Sequence, residues 1–100
     1  MDTRLHTPVM LQEVLEFLSL KPGKVIVDAT LGTGGHSKEI LEGITPGGEL
    51  IGIDRDQESL SLANERLHAH KGAYRLVQGN FCNIDTILAE LNIKKIDGIL

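Results

Sequence analysis

The residues best suited to chemistry form a glycine-rich stretch, Asp28-Ala29-Thr30-Leu31-Gly32-Thr33-Gly34-Gly35-His36. Glycine lets the backbone turn tightly and lets a ligand approach where a Cβ would otherwise stand. A short aliphatic run, Val25-Ile26-Val27, precedes the stretch, and a helical pattern follows it. The turn between a strand and a helix is where open α/β sheets bind ligands. The pattern therefore predicts a binding site for a nucleoside-type cofactor after the first strand.

A second candidate ligand, Asp54, ends the next aliphatic run, Leu50-Ile51-Gly52-Ile53. It follows the glycines by about 20 residues, the spacing of an acid that accepts hydrogen bonds from ribose hydroxyls. The alternative for Asp54 is a helix cap, but Asp56 is better placed to cap. Phe81, in Gly79-Asn80-Phe81, follows the third strand, where the adenine should lie. Whether Phe81 packs on the purine or fills the core stays open.

The charge of Asp28 bears on which cofactor binds. A nicotinamide dinucleotide would bring a doubly negative pyrophosphate to the helix that follows, and a carboxylate just before the glycines would repel it. S-adenosylmethionine has no phosphate and carries a cationic sulfonium and a cationic ammonium, which an acid attracts. In addition, Ser37 replaces the third glycine of the dinucleotide fingerprint. Together these features favour S-adenosyl-L-methionine, with Asp28, Gly32, Gly34 and Gly35 as candidate cofactor-binding residues.

The histidines and the cysteine differ in how strongly their positions favour a role in binding. His36 lies in the glycine loop, where its backbone N–H and ring could contact the amino-acid end of the cofactor, whereas His6 could cover the site or cap the first helix. His68 and His70 are two residues apart and share no helical face, so no metal site is predicted. Cys82 has no evident basic neighbour and is predicted to be a small buried hydrophobe.

Helical and strand patterns alternate from end to end. The alternation predicts an α/β fold with a parallel sheet and right-handed crossovers, as in the Rossmann-like sheets. The predicted strands are Lys24–Asp28, Leu50–Ile53, Tyr74–Gln78 and Ile96–Leu100. Before the first strand, a helix opened by Thr7-Pro8 has an apolar stripe of Leu11, Val14, Leu15 and Leu18. The three helices between the strands are Ser37–Glu42, a helix capped by Asp56 and broken by Gly72, and a helix with Ile84, Ile87, Leu88 and Leu91 after a cap at Asn83.

Composition narrows the class of protein. The 100 residues are 41% hydrophobic and 24% charged, as is ordinary for a globular protein, and the net charge is −4. No basic face of the kind that grips phosphate backbones is evident, so residues elsewhere would have to hold a nucleic acid. A single cysteine and the absence of a signal-like or membrane-spanning apolar run predict a cytoplasmic protein without a membrane partner. The oligomeric state, monomer or homodimer, stays open.

Several segments resemble a known family, the bacterial small-subunit ribosomal RNA cytosine-N4 methyltransferases (MraW or RsmH family). The resemblance covers essentially the whole chain, and its opening and its Gly-Gly-His-Ser loop are far more specific than a generic glycine motif. The segments are His6-Thr7-Pro8-Val9-Met10-Leu11-Gln12-Glu13-Val14, Val27 through Ser37, Ile53-Asp54-Arg55-Asp56, Asn80-Phe81 and Lys95-Ile96-Asp97-Gly98-Ile99-Leu100.

The resemblance implies a class I methyltransferase that transfers a methyl group from S-adenosylmethionine to the exocyclic amine of a cytidine in small-subunit ribosomal RNA. It also implies that Gly34, Gly35, His36, Asp54 and Phe81 hold the cofactor. In the family an Asp-Leu-Gly-Val-Ser-Ser loop, an inserted helical domain and further strands follow the fourth strand. Residues 1–100 are therefore expected to be the N-terminal, cofactor-binding part of the domain, with the catalytic residues beyond Leu100 and little activity without them.

Two alternatives from other classes compete with this interpretation. A nicotinamide-dependent oxidoreductase domain would also place glycines after its first strand, but Asp28 and Ser37 argue against it. A non-catalytic module, in which the fold only binds a partner, gains weight if the 100 residues are the true gene product and not a fragment. Titration with the dinucleotide tests the first alternative, and the mass of the native protein in cell extract tests the second.

Overall fold

The computed structural model describes residues 20–29 and 35–100. The predicted first helix and His6 lie outside these residues, as do Gly32 and Gly34. The strands are β1 (Val25–Asp28), β2 (Glu49–Asp54), β3 (Tyr74–Gln78) and β4 (Gly98–Ile99); the helices are α1 (Gly35–Ile44), α2 (Gln57–Arg66) and α3 (Ile84–Glu90), with one-turn 3-10 helices at His68–His70 and Phe81–Asn83.

The four strands form one parallel sheet in the order β3-β2-β1-β4. The chain adds β2 and β3 on one side of β1 and then crosses to the other side to form β4. The direction of the connections therefore reverses between β1 and β4, and such a switch point opens a crevice at the carboxyl ends of the strands. This arrangement confirms the predicted α/β, Rossmann-like fold.

The alternation of side chains along the strands produces two apolar layers. On one face, Ile26 and Leu50 are buried in a cluster with Ile40, Leu41 and Ile44 of α1. On the other face, Val27, Ile51 and Ile53 form a cluster with Ile87 of α3. Because strands covered on both faces need apolar residues at every position, the continuous aliphatic runs of β1 and β2 are the sequence signature of this sheet.

The turns confirm several local predictions. Asp56 caps α2, since its carboxylate accepts a hydrogen bond from the backbone N–H of Glu58 at 3.0 Å. Gly72 has a φ of +97°, a conformation that favours glycine, at the turn before β3. Gly48 allows a close approach of chains, because a Cβ there would lie 2.4 Å from the carbonyl oxygen of Ile44.

An ion pair links β2 and β3 near their amino ends. The Arg75 guanidinium donates to both carboxylate oxygens of Glu49 and, at 3.3 Å, to the carbonyl oxygen of Leu91 after α3. Hydrogen bonding to Glu49 raises the pKa of Arg75 above its ordinary value. This pair lies away from the carboxyl ends of the strands and joins the sheet to the end of α3.

Several boundaries and caps differ from the sequence prediction. α1 extends two residues beyond Ser37–Glu42 at each end. β4 is Gly98–Ile99 instead of Ile96–Leu100; just before it, the Asp97 carboxylate accepts from the Val25 N–H at 2.8 Å, and just after it the Leu100 N–H still donates to the Val27 carbonyl oxygen. Asn83 precedes α3 but makes no side-chain cap hydrogen bond; Asn80 instead accepts from the Cys82 N–H at 2.9 Å.

Candidate cofactor-binding site

A step in the sheet forms the base of the candidate site. Asp28 at the end of β1 pairs with Gly52, so β2 continues two residues farther, to Asp54. At about 3.3 Å per residue, β2 projects roughly 6–7 Å beyond β1. The ladder between β2 and β3 continues to this level, because the Gly79 N–H donates to the Asp54 carbonyl oxygen at 2.9 Å.

A cleft of about 220 Å³ occupies this step. Its floor is Ala29 after β1, one wall is the end of β2, and the other is the segment after β3. The side chains that line it combine an acid, an amide and an aromatic ring, which are suited to a molecule with hydroxyls and a flat heterocycle. The lining residues are Ala29, Ile53, Asp54, Arg55, Gly79, Asn80 and Phe81.

Asp54 is the acid of this cleft and is held in place by its own turn. One carboxylate oxygen accepts a hydrogen bond from the backbone N–H of Asp56 at 2.8 Å. This bond helps to orient the group, and a carboxylate oxygen can accept more than one hydrogen bond. Asp56 caps the helix. The sequence raised a helix cap as the alternative role for Asp54, and the residue that caps the helix is Asp56.

Phe81 lies on the rim of the same cleft. Its side chain is 41% exposed, so it does not fill the core beneath α3. Asn80, the residue before it, accepts a hydrogen bond from the Cys82 N–H with its side-chain amide oxygen, which fixes the turn that presents Phe81. An exposed ring beside an acid at the carboxyl edge of a parallel sheet favours packing against a ligand, the other alternative that the sequence left open.

Asp28 is placed differently from Asp54. The side chain is fully buried, and one carboxylate oxygen accepts a hydrogen bond from the Ser37 hydroxyl at 2.7 Å. Ser37 is fully buried as well and belongs to the first turn of α1. The acid that the sequence placed at the cofactor therefore bonds to the helix after the glycine loop.

The glycine loop itself is described only at its end. Gly35 begins α1, and His36 follows it with a half-buried side chain, at the N-terminus of a helix that packs on β1 and β2. Gly32 and Gly34 lie outside the described residues. Cofactor contacts by the Gly34-Gly35-His36 segment stay predictions, as do those by Asp28, Asp54 and Phe81.

The remaining sequence candidates do not join the site. The prediction that Cys82 is buried is wrong, since the thiol is exposed on the 3-10 turn that follows β3. His68 is exposed and His70 half-buried on another 3-10 turn, before β3. Within residues 20–29 and 35–100, no group of three His, Cys, Asp or Glu side chains is arranged to hold a metal ion.

A larger groove, of about 610 Å³, lies elsewhere, between α2 and the edge strand β3. Sequence reasoning did not single out this groove, because its residues carry no motif. Its lining is mostly amide, hydroxyl and aliphatic, with Lys71 and Tyr74 at one end. It has no carboxylate and does not touch the switch point, so the smaller cleft is the better candidate despite its size. No helix in the described part of the chain is long and apolar enough to cross a membrane.

Comparison with solved structures defines the class of fold. A SAM-dependent O-methyltransferase from Thermotoga maritima superposes with a TM-score of 0.68 at 17% identity, over 74% of this chain and 29% of that one. The likeness shows that both have the α/β fold whose switch point was described above.

The sequence comparisons then define the family. The MraW methylase family matches residues 3–100, and the chain belongs to that family. A ribosomal RNA small subunit methyltransferase H from Dictyoglomus thermophilum is 54% identical over 96 residues, which are 96% of this chain and 32% of that protein. Its counterpart from Dictyoglomus turgidum is 51% identical over the same shares. The chain thus spans about a third of the length of these relatives.

Proposed function

We propose that this chain is the cofactor-binding part of an S-adenosylmethionine-dependent methyltransferase that acts on the N4 amine of a cytidine in small-subunit ribosomal RNA. The observation that carries the proposal is the cleft at the carboxyl ends of β1, β2 and β3, where Asp54 and Phe81 face the same space. Membership of the MraW methylase family, and relatives named as ribosomal RNA small subunit methyltransferases, support the reaction and the substrate.

The residues of the cleft fit the adenosyl end of the cofactor. The Asp54 carboxylate would accept hydrogen bonds from the ribose hydroxyls, and its bond to the Asp56 N–H holds it ready for them. Phe81 would pack on the adenine, and the backbone at Gly79-Asn80 would border the edge of the ring. A cleft of about 220 Å³ suits the nucleoside, so the amino-acid end would fall to the segment Gly34-Gly35-His36.

The beginning of α1 favours this cofactor over a dinucleotide. The buried Asp28 carboxylate lies just before the glycine loop, where it would oppose the negative pyrophosphate of a dinucleotide. Ser37 occupies the place where the dinucleotide fingerprint has its third glycine.

Bound S-adenosylmethionine supplies an electrophilic methyl group on a sulfonium, which becomes a neutral thioether once the methyl has moved to the amine nitrogen. The described residues would bind and orient the donor, and in this proposal proximity contributes much of the acceleration. The target base would have to leave its stack to present its amine. The groups that receive the amine proton are proposed to lie beyond Leu100, as the family resemblance implies.

Calorimetric titration with S-adenosylhomocysteine, with NAD⁺ titrated in parallel, tests the proposal. We expect saturable binding of S-adenosylhomocysteine with one site per chain and no heat of binding from NAD⁺. Circular dichroism and a thermal melt verify that the titrated protein is folded. Binding of NAD⁺ in preference to S-adenosylhomocysteine would refute the cofactor assignment and favour the oxidoreductase alternative.

The proposal also assigns a partner and a location. Small-subunit ribosomal RNA would be the macromolecular partner, and a cytoplasmic location follows because that RNA is the substrate. A homodimer, which the sequence left open, is also proposed, and sedimentation of the protein tests it.

A further inference from the structure

Asp28 and Ser37 form a polar pair inside an otherwise apolar layer. They are the two polar or charged side chains that are buried among residues 20–29 and 35–100, and each is fully buried. The Ser37 hydroxyl donates to the Asp28 carboxylate at 2.7 Å across nine positions of sequence. Burying a polar group is costly unless it is hydrogen-bonded, and this bond helps to offset that cost for both side chains.

The pair joins the two elements that flank the glycine loop. Asp28 is the last residue of β1, and Ser37 is the third residue of α1, so residues 29–36 lie between the two partners in the sequence. A serine in a helix often bonds to a carbonyl of its own preceding turn. Here its hydroxyl bonds instead to the neighbouring strand, which fixes the start of α1 against the end of β1.

We infer that Asp28 and Ser37 act as a latch that fixes the start of α1, Gly35-His36, for the cofactor, and that Asp28 is a positioning residue and not a direct ligand. This inference rests on the proposed function. A dinucleotide site uses a glycine at the place of Ser37 to bring helix and strand together. In this protein a hydrogen bond joins helix and strand at that place. Such a bond matters for binding, because the groups of a site must be held to within about 0.5 Å of the productive geometry.

The latch is tested by Ser37→Ala and Ser37→Gly, with Thr45→Val as the matched control. Thr45 follows the other end of α1, and its hydroxyl donates to the Leu41 carbonyl oxygen at 2.8 Å. Breaking the latch lowers the fraction of molecules with a binding-competent loop, and apparent affinity falls by that fraction. We expect both Ser37 variants to bind S-adenosylhomocysteine about tenfold more weakly, and Thr45→Val to bind like the wild type. Wild-type affinity in Ser37→Ala and Ser37→Gly would overturn the latch, since it would mean that the position needs only a small residue.

Asp28→Asn tests whether the Asp28 carboxylate acts directly on the sulfonium. S-adenosylmethionine differs from S-adenosylhomocysteine by a methyl group and one positive charge. If Asp28 only positions the loop, the substitution weakens both ligands by the same factor, within about twofold. A loss that is tenfold larger for S-adenosylmethionine would make Asp28 a charge that acts on the sulfonium and would overturn the assignment.

Amide hydrogen exchange distinguishes failure of the latch from failure of the proposed function, because it needs no ligand. In Ser37→Ala we expect the amides of Glu39 and Ile40, in the first turns of α1, to exchange about tenfold faster, with those of Gly43 and Ile44 unchanged. Unchanged exchange at Glu39 and Ile40 would overturn the latch. If Ser37→Ala exchanges faster than the wild type as expected, but the folded wild type binds no S-adenosylhomocysteine, the result would instead refute the proposed function.

Discussion

Two strands of this sheet end in aspartate, and the two carboxylates lie in different surroundings. Asp28 ends β1, is fully buried and accepts a hydrogen bond from a helix side chain, that of Ser37. Asp54 ends β2, is half-buried, lines a cleft and accepts a hydrogen bond from a backbone N–H, that of Asp56. Both residues occupy the same place in a repeated strand–turn–helix unit, so the residue type alone does not decide the role.

Register and turn length account for the difference. Asp28 pairs with Gly52 and so lies two residues below Asp54 in the sheet, where neighbouring elements cover it. The connection after β2 is short, since Asp56 already caps α2, and this keeps Asp54 at the edge. The connection after β1 is longer and glycine-rich, and the helix that follows it bonds to Asp28 through Ser37. Asp28 is thus suited to hold a loop, and Asp54 is suited to contact a ligand.

The largest expected effect comes from Asp54→Asn. The substitution keeps the shape but removes the charge that would accept the ribose hydroxyls, and hydrogen bonds to charged groups contribute about 1.5–3 kcal/mol. We expect the Kd for S-adenosylhomocysteine, measured by calorimetry, to rise roughly 10- to 100-fold. Asp56→Asn is the matched control two residues away, because asparagine caps a helix as well as aspartate does. Equal losses in both variants would remove the distinction between ligand and cap.

Phe81→Ala should have the next largest effect on affinity. Contacts between aromatic rings contribute about 0.5–1.5 kcal/mol beyond the area they bury, so we expect the Kd to rise roughly threefold to tenfold. Leu62→Ala is the control, since Leu62 is 44% exposed and does not line the cleft. The free energy of unfolding, measured in urea, should lie within about 0.5 kcal/mol of the wild-type value for both variants, as is usual for surface substitutions. A large loss of stability in Phe81→Ala with unchanged affinity would favour the core alternative.

Asp56→Ala should alter stability more than binding. The substitution removes the cap bond to the Glu58 N–H, and loss of such a cap costs about 1 kcal/mol. The backbone N–H that orients Asp54 is retained, so we expect the Kd to change less than about threefold, because the effect on binding is indirect. Urea denaturation and calorimetry measure the two quantities on the same sample. A tenfold loss of affinity would show that the cap and the ligand act as one unit.

The smallest effect is expected from Gln78→Ala. Gln78 donates to the Arg55 carbonyl oxygen at 3.2 Å from an exposed position, and thereby braces the turn that carries Asp54. Exposed bonds of this kind contribute within about 0.5 kcal/mol, so the Kd should change by no more than about twofold. A change as large as that of Asp54→Asn would mean that the turn, and not the carboxylate, controls binding.

The sequence was most informative where its signals were local. The strand Tyr74–Gln78, the cap at Asp56 and the turn at Gly72 match the structure, because each depends on a short pattern of residues. The position of Asp54 at the carboxyl edge also followed from the order of elements alone, since parallel strands bring their ends together.

Tertiary contacts account for what the sequence did not predict. That Asp28 is buried depends on the register of β1 with β2 and on where Ser37 falls on α1, neither of which a linear pattern reveals. The exposure of Cys82 depends on the 3-10 turn that Asn80 caps. At the amino end of β4, a side chain, that of Asp97, accepts the hydrogen bond of the Val25 N–H, which a linear pattern does not reveal.

The location of the cofactor is the most direct test of this account, because the molecule has a larger groove that competes with the proposed cleft. A titration of isotope-labelled protein with S-adenosylhomocysteine, followed by ¹⁵N–¹H correlation spectra, would locate it. The account predicts that the amides of Asp54, Gly79 and Phe81 shift together and saturate with one Kd. Shifts confined to the groove between α2 and β3, at Asn64, Lys71 and Tyr74, would contradict it.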